Sequence, residues 1–161
     1  MLPEEEAVRL LKEKKLVAAF AESCTGGLIS KRLTDVSGCS EVFNCGIVSY
    51  SNEIKTSVLG VKKETLDKFG AVSEQTVREM VSGVLKLSRA DVAAAVSGIA
   101  GPSSDDTLKP VGLIYIAVSD GKNTKVECLH NNFCENVREN NRNSAADKAL
   151  LMLIEMVGEK A

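Results

Sequence analysis

The segment VAAFAESCTGG, residues 17–27, runs apolar and then breaks into hydroxyls, a thiol and two glycines. Ser23 and Cys24 are therefore candidate nucleophiles in a tight turn with Thr25, where Gly26 and Gly27 let a ligand approach the backbone closely. Ser23 or Thr25 could equally be a plain helix N-cap, worth about 1 kcal/mol. A serine nucleophile needs a base, and the one histidine, His130, lies late in a strand-like stretch, so a Ser-His-Asp triad has little to draw on. Lysine can serve instead if its pKa falls from about 10.4 to about 7.5, roughly 4 kcal/mol of differential interaction supplied by burial or positive potential. Lys55 has a suggestive position. Ser51 and Asn52 are good N-caps, which puts Lys55 in the first turn of the next helix, where the macrodipole disfavours a cation. A solvated lysine in the same place is the alternative.

Two further residues invite an anion. Arg138 and Arg142 are four apart, so they share one helix face, and like charges at that spacing repel unless something negative lies between them. A phosphate or carboxylate would do so, while Glu135 and Glu139 could neutralise the pair on a merely solvated face. Other chemistries lack their residues. No CxxC pair or second histidine announces zinc, no GxxxxGK[ST] is present, and GIAG falls short of a dinucleotide-binding GxGxxG.

The elements that would position these groups follow from hydrophobic spacing. Residues 4–15 have helical periodicity, 16–22 read as a buried strand, and 25–36 as a helix with Leu28, Ile29, Leu33 and Val36 inward. A second strand is predicted near 42–50, then short helices ending at Gly60 and Gly70. A longer helix spans 73–89, with Val77, Met80, Val81, Val84 and Leu85 on its apolar face. DVAAAVSGIAGP (91–102) repeats the opening pattern of an apolar strand ending in small polar residues. Asp120-Gly121 separates two strand-like runs as in a hairpin, and the last segment is helical. This order implies an α/β sandwich whose first three strands are parallel, with a hairpin adding an antiparallel strand. Ligands then sit beyond the carboxyl ends of the strands, where three polar turns converge: 22–27, 49–55 and 97–106.

Composition narrows the partners. The chain has 161 residues, about one domain, and reads as a single domain over 1–161. A net charge of −2 and no tryptophan argue against nucleic acid, and no apolar run suits a membrane. The acidic start MLPEEE lacks a secretory apolar region, and the five cysteines are an odd number, so the expectation is a cytoplasmic protein with reduced thiols. Only Cys24 stands in a context that suggests reactivity.

Taken together, AESCTGG, GIVSYSNEIK, GAVSEQTV, VSGIAGP and KPVG resemble the C-terminal amidase domain of the competence-damage-inducible CinA family, over nearly the whole chain and in the family's order. The chain reads as the family's stand-alone form. The resemblance implies a three-layer α/β/α sandwich with a five-stranded mixed, mostly parallel sheet. It implies deamidation of nicotinamide mononucleotide to nicotinic acid mononucleotide and ammonia, by a homodimer or higher homo-oligomer with no cofactor and no metal. It makes Ser23 the nucleophile, Lys55 its base and Tyr50, added by the resemblance alone, a relay or orienter of the proton.

The expected substrate contacts come from the three turns and the arginines. The first turn contributes Glu22, Cys24, Thr25, Gly26 and Gly27, with the amides at 25–27, joined by those near Gly98, expected to hold the oxyanion. The second contributes Ser49 and Asn52, and the third Ser97, Gly98 and Gly101, while Arg138 and Arg142 take the 5′-phosphate. Two departures from the family pattern stand out. Ser104 and Asp105 replace a glycine pair, with Asp106 adding a second carboxylate, and Asn136-Val137-Arg138 replaces the family's GxR. The rival readings are a nucleotide-binding protein without turnover and an amidase that uses Cys24 or Ser97.

Overall fold

The computed structural model describes residues 1–104 and 107–160. Helix α1 (Pro3–Lys14) leads into strand β1 (Ala18–Glu22), then α2 (Leu28–Thr34), a short 3-10 turn (Cys39–Glu41) and β2 (Phe43–Val48). Two short helices follow, α3 (Asn52–Leu59) and α4 (Lys63–Phe69), then α5 (Glu74–Ser88) and β3 (Val92–Gly98). The hairpin β4 (Leu113–Ser119) and β5 (Thr124–His130) precedes the long α6 (Val137–Glu159). None of the described helices is long and apolar enough to cross a membrane.

The sheet order is β2-β1-β3-β4-β5. β1 pairs in parallel with β2 and β3, while β4 is antiparallel to both β3 and β5, so β4 alone runs against the others. The expected mixed five-stranded α/β/α sandwich is what forms. β1 is buried at every position and β3 at all but its last, because helices cover both faces. On one face Phe20, Val96, Ile114 and Ile116 meet Leu11 of α1, Ile29 and Leu33 of α2, and Leu150 and Leu153 of α6. On the other, the alanines of β1 and β3 let α5 lie close with Val77, Met80, Val81 and Val84. Each such side chain contributes about 1.5–3 kcal/mol on full burial.

Two boundaries differ from the sequence expectation. The helix expected from residue 25 starts at Leu28, because Gly26 (φ 59°) and Gly27 (φ 98°) adopt left-handed backbone that cannot belong to a right-handed helix. The strand expected from residue 16 starts at Ala18, because the Leu16 amide is still tied to the Leu11 carbonyl of α1. The register then sets the site. Glu22 lies opposite Val48 on one side and Val96 on the other, so Ser23, Ser49 and Ser97 stand level at the carboxyl edge of three parallel strands.

Candidate active site

The strand ends are locked by backbone bonds before any side chain acts. The Ser23 amide donates to the Val96 carbonyl (3.1 Å) and the Ser49 amide to the Glu22 carbonyl (2.8 Å). Beyond Ser49 the chain turns at Ser51, whose hydroxyl accepts from the Ile54 amide (3.1 Å) and starts α3. Lys55 lies one turn in, facing back over the sheet edge, and is only 1% exposed. Its Nζ stands 3.0 Å from Ser23 Oγ and 2.8 Å from the Ser49 carbonyl. Burial pushes this amine down to about 8, against the opposing pull of Cys24. Of the two causes the sequence allows, burial and positive potential, burial is the one that lowers this amine.

A neutral Lys55 has one lone pair and two N–H bonds. With one N–H donated to the Ser49 carbonyl, the lone pair is free to accept the Ser23 hydroxyl proton. The pair opens on a cavity of about 260 Å³ whose walls include Ser23, Cys24, Tyr50, Asn52, Val72, Ser97, Gly98, Gly101, Ser104 and Arg138. A serine hydroxyl, a buried amine and a mixed polar and apolar pocket thus meet at the edge that the strand order indicated.

The other expected residues fall into different places. Glu22 is fully buried and does not line the cavity. Its Oε1 accepts from Thr25 Oγ1 (2.7 Å) and the Ile29 amide (2.9 Å), and its Oε2 from the Ser30 amide (3.0 Å) and Ser30 Oγ (2.6 Å). This carboxylate caps α2 from the end of the preceding strand, so neither Ser23 nor Thr25 is the cap. Thr25, Gly26 and Gly27 do not line the cavity, and the Gly26 amide is already committed to the Ser23 carbonyl (3.0 Å). Of the oxyanion donors expected at 25–27, none therefore belongs to a residue on the cavity wall, and the three residues shape the turn. Ser49 is also fully buried behind Lys55 and fixes it through its carbonyl.

The rival nucleophiles are poorly prepared. Burial raises the Cys24 thiol to about 12, outweighing the nearby charge of Arg142, so it stays protonated. Ser97 Oγ donates to the Ala71 carbonyl (2.8 Å). Tyr50 is 61% exposed at the cavity mouth, and its hydroxyl accepts from Arg138 Nη2 (3.1 Å), away from the Ser23–Lys55 pair.

The two arginines do not converge on one anion site. Arg138 Nη1 donates to the Gly101 carbonyl (2.9 Å) and lines the cavity. Arg142 lies outside the cavity wall and donates to the Cys24 carbonyl from Nε (3.1 Å) and the Thr25 carbonyl from Nη2 (2.9 Å). Among the described residues neither makes an ion pair, so Glu135 and Glu139 do not neutralise them.

The glycine missing before Arg138 has a structural explanation. Asn136 sits at the start of α6 with φ 45°, and asparagine is among the few side chains that tolerate left-handed backbone. Ser104 lines the cavity, while Asp105 and Asp106 lie outside the described residues.

Sequence reasoning passed over two supports. Lys109 Nζ donates to the Phe69 (2.6 Å) and Val72 (2.5 Å) carbonyls, holding the segment that forms one cavity wall. Asn141 is buried in α6 and its Nδ2 donates to the Ala100 carbonyl (2.9 Å). The KPVG motif pointed to Lys109, whereas nothing in the sequence marked Asn141.

Comparison with known proteins adds the following. Residues 3–157 match the CinA C-terminal domain. A CinA-like protein of Thermotoga neapolitana is 54% identical over 123 residues, which are 76% of this chain and 30% of that protein. The chain spans between 30% and 37% of the length of the curated relatives it matches. Among solved structures, a competence/damage inducible protein from Agrobacterium tumefaciens is 40% identical with a TM-score of 0.88, covering 98% of this chain and 96% of that one. The competence damage-inducible protein A of Klebsiella pneumoniae is 32% identical with a TM-score of 0.93, covering 100% of both chains.

Proposed function

The chain belongs to the CinA C-terminal domain family, and from that premise we propose that it is an amidohydrolase that converts nicotinamide mononucleotide to nicotinic acid mononucleotide and ammonia. One observation carries the reading: a buried lysine with its amine brought down to about 8 stands 3.0 Å from a serine hydroxyl at the wall of a cavity. An amine lowered far enough to hold a working neutral fraction near physiological pH is what a serine nucleophile needs when no histidine is present. The substrate class comes from the family resemblance of the motifs around that pair.

The chemistry proceeds in two halves. Lys55 takes the Ser23 proton as Oγ bonds to the carboxamide carbon, and the carbonyl oxygen becomes an oxyanion. This charge falls to amides on the cavity wall at Cys24, Ala100 and Gly101, since the Ile99 amide is committed to Leu113. Lys55 then returns the proton to the amide nitrogen, the C–N bond breaks and ammonia leaves. Water, deprotonated by the same lysine, attacks the Ser23 ester; the C–Oγ bond breaks, Lys55 gives that proton to the departing Ser23 Oγ, and the acid product leaves. At the rim, Arg138 is the guanidinium available to a 5′-phosphate, on exchanging its bond to the Tyr50 hydroxyl for one to the anion.

Ammonia release from the mononucleotide by the purified chain tests the reading. Turnover is expected in the wild type, and Ser23→Ala should lower it by more than about a hundredfold with the fold retained. Binding of the mononucleotide with no ammonia released would instead identify a nucleotide-binding protein that keeps the site without turnover.

A further inference from the structure

Arg142 is built into the nucleophile turn, and its geometry carries more than the family resemblance supplied. Its planar fork reaches two successive carbonyls, Cys24 at 3.1 Å and Thr25 at 2.9 Å. The turn passes into left-handed backbone at Gly26, directly after these two residues. Arg142 lies against the turn itself, since a Cβ placed on Gly26 would stand in van der Waals contact with Arg142 Nη2 at 3.4 Å.

On its other side the same turn is tied to Glu22 through Thr25 Oγ1. The turn that carries Ser23 is thus clamped between a buried carboxylate and a guanidinium from the far end of the chain. We infer that Arg142 is a positioning residue that fixes the Ser23 turn against α6, and not a ligand of the substrate phosphate. This inference rests on the proposed role of Ser23 as nucleophile.

The peptide plane explains why such a grip bears on catalysis. In a trans peptide the C=O and N–H share one plane, so holding the Cys24 carbonyl on Arg142 fixes the peptide plane one residue beyond Ser23, and with it the backbone that aims the Ser23 hydroxyl at Lys55. Asn141, next to Arg142 in sequence, does the same to the Ala100–Gly101 peptide by holding the Ala100 carbonyl. α6 therefore sets the orientation of backbone on both sides of the nucleophile. An error of about 1 Å there is enough to cost about a hundredfold in rate. Arginine suits the task because its fork is rigid and always charged, whereas lysine would satisfy one carbonyl at a time.

The test uses Arg142→Met and Arg142→Lys in the full chain, with two readouts. One is steady-state deamidation of nicotinamide mononucleotide and of nicotinamide riboside. The other is the rate at which a fluorophosphonate probe labels Ser23, which does not depend on the substrate assignment. Arg142→Met should lower kcat on both substrates, and Ser23 labelling, by about tenfold or more with KM changed less than about threefold. Arg142→Lys should recover part of that loss.

A rise in KM for the mononucleotide alone, with kcat and labelling unchanged, would overturn the inference in favour of a phosphate ligand. Should Arg142→Met fail to fold, Arg142→Lys decides: labelling slower than wild type supports the positioning role, and labelling at the wild-type rate overturns it. Labelling of wild-type Ser23 without ammonia release defeats the substrate assignment but leaves the labelling comparison intact. A wild type that is not labelled at Ser23 defeats both.

Discussion

The sheet edge that carries Ser23 and the first turns of α6 meet beside the same cavity, yet they are constructed differently. At the edge, adjacent parallel strands bring Ser23, Ser49 and Ser97 level, and Lys55 follows Ser49 by six residues, so the pair is assembled by neighbouring backbone. α6 comes from the far end of the chain after the hairpin, and only packing decides what its side chains meet. The spacing of Arg138 and Arg142 fixed a shared helix face, but one reaches Gly101 and Tyr50 while the other reaches Cys24 and Thr25. Proximity that follows from topology can be read forward from sequence. Proximity that follows from docking a distant helix cannot.

The largest expected effect tests the edge. Lys55→Met should reduce kcat by more than about a hundredfold, and Lys55→Arg nearly as much, because a guanidinium stays protonated and cannot accept the serine proton. In the wild type, kcat should rise with pH through an apparent value near 8, the value that burial gives the amine. Stability should move the other way in the variant. The folded chain holds this lysine below its unfolded value, so the charged form is penalised in full below about pH 8 and the penalty fades as pH climbs toward about 10.4. Lys55→Met should therefore raise the urea midpoint more at pH 7 than at pH 10. Near-normal turnover in Lys55→Arg would mean that only positive charge is needed, and the edge would lose its distinction from α6.

Next in size is Glu22→Gln. The carboxylate accepts four hydrogen bonds, and an amide nitrogen in place of either oxygen would face N–H and O–H donors. A loss of about 2–4 kcal/mol is expected by urea denaturation, with a fall in kcat as the Ser23 turn loosens. An unchanged midpoint would show that the edge holds its shape without this cap.

Much of this architecture was legible in the sequence, for physical reasons that are specific. Continuous apolar runs marked β1 and β3, and the recurrence of Val77, Met80, Val81 and Val84 marked the buried face of α5. The three polar turns after β1, β2 and β3 located the cavity edge. The role of Glu22 was not legible, because a cap supplied by a strand residue seven positions before the amide it holds leaves no local spacing signature. Nor was the burial of Lys55, since its sequence neighbours Asn52 and Glu53 are polar and exposed, and only docking of α3 on the sheet removes the amine from water.

The α6 side is tested by Arg138→Ala. The mononucleotide should lose roughly tenfold to a hundredfold in affinity, the worth of one hydrogen bond to a charged group at about 1.5–3 kcal/mol. The riboside, which lacks the phosphate, should change much less when KM is measured for both. Equal losses would place Arg138 beside Arg142 as a support of backbone, bonded to Gly101, with no direct contact to the anion.

The smallest effect concerns Asn136, the residue that stands where the family pattern has glycine. Its backbone is left-handed at φ 45°, and its carbonyl accepts from the Asn140 amide (2.8 Å) in the first turn of α6. Glycine at this position would relieve side-chain crowding in the folded state but would gain freedom in the unfolded chain, and the two changes oppose each other. Asn136→Gly should therefore shift stability by less than about 0.5 kcal/mol, with kcat and KM unchanged. Asn136→Val is the contrasting case. A β-branched side chain is a genuine outlier at positive φ, so about 1–2 kcal/mol should be lost, and the start of α6 with Arg138 should shift with it. If that shift raises KM for the mononucleotide while Ser23 labelling stays at the wild-type rate, the helix start serves the rim alone. If labelling slows as well, the strain has travelled the turn from Arg138 to Arg142, and α6 acts on the nucleophile edge as one rigid support.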